Sequence, residues 1–176
     1  MVSAAEMKSL VEEIVALGNV LRVYHGHVKD LAVTRPKASP ADLAAVRGIT
    51  PHLPPSFLQL LSICDGVDNF DWVDISLLSS DYLLNQPDPT GPWIEGAAFS
   101  KGERVIIGQS DTDPHAIAFL TETVAEDGEM EVMDFDNDGP IETYPHLEAY
   151  LRARRDWFAN AVSEEKADRE GIADDE

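Results

Sequence analysis

The stretch LPPSFLQLLSICDG, residues 53–66, decides the fold class. Pro54 and Pro55 open a helix at no cost, because the first amides of a helix have no partner within it. Phe57, Leu58, Leu60, Leu61 and Cys64 then offer an apolar side to a core, and Asp65-Gly66 ends the run. Upstream of this segment the periodicity is helical, and downstream it is that of strands. That order predicts an α+β domain.

Upstream, Leu10, Val11, Ile14, Val15, Leu17 and Leu21 recur at spacings of three and four, predicting a helix over 4–21. Residues 24–38 mix Gly, Pro and charge and read as a connector. Ser39 and Pro40 suit the cap and first position of a short helix over 40–47. With the segment above, this places a third helix at 55–64.

Downstream, strands are expected near 72–77, 104–108, 116–121 and 129–136, with a short last strand at 141–144. In the segment 129–136, alternation predicts one face of Met and Val and one solvent face bearing Glu129 and Glu131, with Asp134 or Asp136 joining them. Residues 78–100 hold three prolines and read as a long surface loop with a short element near Tyr82. Pro145 opens a final helix, expected over 146–160, and residues 163–176 have little to bury and read as a disordered acidic tail. The expected organisation is a helix and connector over 1–38, packed as one unit with a domain over 39–162, and the tail.

The chain carries 33 acidic and 13 basic residues, a net charge of −20. Residues 48–151 hold 20 acids against Lys101 and Arg104 alone, so the acidity belongs to the folded body. Such a body repels nucleic acid and anionic membrane and attracts basic proteins, although acidity also serves solubility alone. The absence of an apolar run of ~20 residues argues against a membrane span. The start MVSAAEMKSLVEEIVALG lacks the basic opening of a secretory signal. The single cysteine, Cys64, excludes an internal disulfide and suits a reducing compartment. A cytoplasmic protein is expected.

The order of these pieces resembles the SUKH superfamily, the Smi/Knr cell-wall-assembly-regulator domain. The resemblance rests on Leu53-Pro54-Pro55-Ser56-Phe57 with its apolar helix and Asp65-Gly66 stop, on Val105-Ile106-Ile107-Gly108 followed by Ala116–Leu120, and on the strand before the helix bearing Leu147, Tyr150 and Leu151. It covers roughly residues 40–152. The chain departs from the family pattern at Arg47-Gly48, where a glutamate is usual, and at Val67, where a second glycine is usual. The resemblance implies a mixed, mainly antiparallel sheet flanked by helices and a protein-binding role without catalysis. Many bacterial members resemble immunity proteins that neutralise toxins, often nucleases, while fungal members resemble regulatory or scaffold modules with other cellular partners.

Asp134-Phe135-Asp136-Asn137-Asp138-Gly139 begins like an EF-hand loop, but the closing position falls on Pro145 instead of Glu, so a hairpin turn is the expectation. His25-Gly26-His27, with His52, His115 or His146, lacks zinc-site spacing. Cys64 reads as a buried thiol. No nucleophile–base pair, P-loop or dinucleotide fingerprint is visible, so neither enzymatic activity nor a cofactor or metal is expected.

The expected partner is a basic protein such as a toxin domain. The candidate contact residues are Asp65, Asp68, Asp71 and Asp74 around Trp72; Trp93; Asp111 and Asp113; and Glu129, Glu131, Asp134, Asp136 and Asp138. Trp72 and Trp93 would anchor and the carboxylates would steer. The alternative for the 65–74 series is that Phe70 and Trp72 enter the core and the aspartates solvate a loop.

Overall fold

The computed structural model describes residues 2–49, 53–71, 75–85, 103–110, 112, 114–136 and 138–173. The helices are α1 (Ala4–Tyr24), α2 (Pro40–Val46), α3 (Pro55–Ile63), α4 (Ser80–Asn85) and α5 (Leu147–Ala173). The strands are β1 (Val33–Thr34), β2 (Val67–Asp68), β3 (Ile75–Leu77), β4 (Arg104–Ser110), β5 (Ala116–Leu120), β6 (Val132–Asp136) and β7 (Gly139–Tyr144). The fold is α+β.

The seven strands form one sheet in which each lies beside its neighbour in sequence. Every pairing is antiparallel, so the parallel component of a mixed sheet is absent among the described residues. The connections from β4 to β7 and between β2 and β3 are short, as antiparallel neighbours allow, whereas α2 and α3 lie between β1 and β2 and α4 lies between β3 and β4.

One face of the sheet carries Val105, Ile107, Ile117, Phe119 and Val132 into the main core, where Phe57, Leu60 and Leu61 of α3 and Leu147, Tyr150 and Leu151 of α5 meet them. α1 joins this layer through Met7, Leu10, Val11, Ile14 and Leu21 and packs chiefly on α5. Gly18 makes the crossing close: a Cβ there would lie 3.4 Å from the Phe158 ring and 2.9 Å from Arg22. The opposite face buries a smaller cluster, including Ile106, Ala118, Met133 and Phe135, with the Arg104 guanidinium 4.8 Å above the Phe135 ring.

Local chemistry accounts for the helix starts. Ser3 and Glu6 form a reciprocal capping box on α1, and Ser39 caps α2 through the Asp42 amide. Two strands were not anticipated: β1 lies inside the 24–38 connector and β2 inside the aspartate-rich segment. Each is two residues long, too short for alternation to register.

The expected disordered tail is corrected over 163–173, where α5 continues to Ala173. What it lacks in apolar residues it replaces with side-chain pairing. Lys166 faces Glu170 and Arg169 faces Glu165 at i,i+4, while Arg169 also stacks on Tyr24 at 4.7 Å and donates to its carbonyl. No helix among the described residues is long and apolar enough to cross a membrane.

Candidate functional site

The carboxylates expected to form one solvent face divide into an inward group and an outward group. The inward group is built into the fold. Asp65 holds the start of α4, accepting from the Ser80 amide at 2.6 Å and its hydroxyl at 2.8 Å. Asp68, in β2, stands between the two groups: its side chain is 41 % exposed, yet it accepts both Nε and a terminal nitrogen of Arg35 from beyond β1. Asp71 is buried and paired with Arg154 of α5, while its carbonyl accepts from buried Arg22 at 2.6 Å. Phe70 beside it is fully buried, so this aromatic belongs to the core.

Two strand assignments are corrected. Glu129 lies before β6, is only 6 % exposed, and accepts from both the amide and the hydroxyl of Ser56. Asp134 is 4 % exposed and bonded to His115. The reason is a break in alternation at Val132-Met133. Both faces of β6 are covered, and Asp134 shares the helix-facing side with Val132 while Met133 and Phe135 occupy the other.

Asp71, Asp134, His115, Arg154 and Tyr150 consequently lie close together beneath α5. Burial pulls the His115 pKa down, but the hydrogen bond and charge of Asp134 outweigh it and raise it on balance. Burial drives the Tyr150 hydroxyl far above its usual range, and the Asp71 charge adds to the effect. Burial also opposes the charge on Arg154, and Asp71 more than restores it. These groups neutralise one another, and no nucleophile stands beside the His115–Asp134 pair among the described contacts. The arrangement is a buried charge network that ties α5 to the sheet.

The outward group reaches solvent. Glu131 and Asp136 are half-buried and Asp138 is exposed. Sequence reasoning missed Glu122, Glu126, Asp127 and Glu142, all of them exposed. Among the described residues none of these seven side chains forms an ion pair. The signal was in the sequence: from Val105 to Leu151 there is neither Lys nor Arg. Glu122, Glu126, Asp127 and Glu131 cluster in the β5–β6 connection, while Asp136 and Asp138 lie at the opposite end of β6, ~17 Å away along a five-residue strand. Glu142 lies between them on β7, which is the sheet's terminal strand and is exposed from Pro140 to Thr143.

No protein-family model matches the chain, and no curated protein matches it in sequence.

Trp72, Asp74, Trp93, Asp111 and Asp113 lie outside the described residues. Trp157 of α5 is 43 % exposed. The described histidines have local partners: His25 meets Glu165 at 2.9 Å, His27 faces Asp30, and His146 accepts from the Ala149 amide at the start of α5, while His52 lies outside the described residues. Among the described residues no group of three ligands could hold a metal ion.

Proposed function

We propose that this chain is a non-enzymatic protein-binding module that engages a basic protein surface along β7 and the acidic loops flanking it. The observation that carries this reading is an exposed terminal strand set between two clusters of carboxylates that form no ion pair among the described residues, in a segment without a single Lys or Arg. A terminal strand offers unpaired backbone groups to an incoming chain. The carboxylates speed encounter with a basic partner and exclude acidic ones. The SUKH resemblance makes an immunity protein, occluding a toxin domain, the favoured form of this role.

The test is co-expression with the product of the neighbouring reading frame, where that frame encodes a toxin-like protein. Protection of the cells is expected. Changing Glu126, Asp127, Asp138 and Glu142 together to Lys should abolish it while leaving the circular dichroism spectrum unchanged. Association with the purified partner should slow steeply with salt, because exposed charges are screened over ~8–10 Å at moderate ionic strength. Death of the cells with the wild-type protein present, or full protection by the quadruple variant, would overturn the proposal.

A further inference from the structure

The end of α1 and the second half of α5 enclose a groove of about 290 Å³. Leu21 and His25 of α1 form one side, and Trp157, Ala161, Glu164, Glu165 and Asp168 of α5 form the other. The α5 residues recur at helical spacing, so they make one stripe along the groove. The volume falls at the lower limit of cavities that enclose drug-sized molecules, which suits a single side chain.

Carboxylates on a helix are ordinarily a solvated face, but three further features distinguish this one. Trp157 stands at the groove wall between two neighbours: Phe158 packs edge-on at 5.0 Å and the Arg154 guanidinium lies 4.9 Å from the ring centre. Ala161, one turn further on, lines the groove with only a methyl group. Glu165 is already engaged, with His25 at 2.9 Å and Arg169 at 3.6 Å, whereas Glu164 and Asp168 form no ion pair among the described residues. These two are like charges at i,i+4 and repel each other, an arrangement that a cation between them relieves.

We propose that this groove receives an arginine or lysine side chain from a basic protein partner. The apolar stem lies along Trp157, Ala161 and Leu21, and the cationic head sits between Glu164 and Asp168. An aromatic wall beside carboxylates suits that amphipathic side chain. A second copy of the chain is excluded as occupant by charge, since each copy carries a net −20. The inference rests on the preceding section only in taking the partner to be a basic protein; its location is separate. Glu148 and Glu165 are ~25 Å apart along α5, so the groove lies far from the helix end that adjoins β7.

The experiment is heteronuclear NMR of the full chain titrated with the capped peptide Gly-Arg-Gly-Arg-Gly and, separately, with Gly-Gln-Gly-Gln-Gly. The Trp157 indole and Ala161 methyl signals should shift saturably with the arginine peptide and stay in place with the glutamine peptide. The double variant Glu164→Gln/Asp168→Gln, exposed and compatible with the helix, should weaken that response about tenfold, as expected for loss of a charge-assisted contact. Three outcomes overturn the proposal: no saturable shift at these two residues, an equal response to both peptides, or an unchanged response in the variant. Movement of Trp157 with protein concentration alone would also overturn it, by showing a second copy in the groove. The Ile141 and Glu142 amides report on β7 in the same spectra. Response at β7 without Trp157 defeats the groove alone, and response at Trp157 without β7 defeats the β7 surface alone.

Discussion

Glu129 caps helix α3 from 73 residues away, its carboxylate accepting the Ser56 amide at 2.9 Å and the Ser56 hydroxyl at 2.5 Å. The residue at the cap position itself, Pro54, offers no side-chain acceptor. Glu129 therefore satisfies an amide that the helix leaves unpaired and sets a negative charge at its positive end. Glu129→Ala leaves these buried donors unmatched and should cost about 1–3 kcal/mol in urea unfolding. Glu129→Gln retains an acceptor and should cost less. A loss below about 0.5 kcal/mol in the alanine variant would show that water replaces the carboxylate freely.

Asp71 and Arg154 should behave as a unit. Their side chains are 3 % and 16 % exposed, so removing either partner takes the opposite charge from the other where little water reaches it. Asp71→Asn or Arg154→Met should each cost about 3–5 kcal/mol, and the double variant should cost clearly less than their sum. Additive losses would mean that the two charges are not coupled in solution.

His115 gives stability a defined pH dependence. Its folded-state pKa is raised, because the hydrogen bond and charge of Asp134 outweigh a burial penalty that acts the other way. The folded form therefore holds its proton more tightly than the unfolded chain. The resulting stabilisation is complete below the unfolded value of ~6.5 and is lost as pH rises through the folded value. Wild-type stability should fall with rising pH in that window relative to His115→Asn. Asp134→Asn should bring the His115 titration down when followed by NMR, since burial then acts with less opposition. A His115 resonance that titrates below ~6.5 in the wild type would contradict the arrangement.

Helices were legible in the sequence wherever periodicity and caps agreed, as at Ser39-Pro40 and Pro54-Pro55, and the larger strands followed from apolar runs. The site was less legible because the decisive partners are remote. Nothing near Glu129 in the chain indicates that Ser56 awaits it, and nothing near Asp71 points to Arg154, 83 residues later. Glu129 and Glu131 looked like a solvent face because glutamates alternated with apolar residues, yet the strand begins only at Val132. The extension of α5 to Ala173 escaped notice because its support comes from ion pairs and from Tyr24, which periodicity does not register.

Gly66 allows α3 to turn into β2, and two constraints act there at once. Its φ of +94° is one that side-chain-bearing residues rarely adopt, and an added Cβ would lie 2.6 Å from the Leu77 carbonyl oxygen. That oxygen is backbone and cannot swing aside. Its neighbours are committed too: the Gly66 carbonyl accepts from the Arg35 amide at 3.1 Å, and Asp65 holds the start of α4. Gly139 isolates the first constraint, with φ at +120° and nothing within 4 Å of an added Cβ. Gly139→Ala should therefore cost about 1–2 kcal/mol of backbone strain, and Gly66→Ala about 3 kcal/mol or more. Equal losses in urea unfolding would show that the strand beside Gly66 gives way without penalty. A larger loss at Gly66, with the hydrogen-exchange protection of α4 falling alongside it, is the outcome expected if this glycine fixes Asp65 against Ser80.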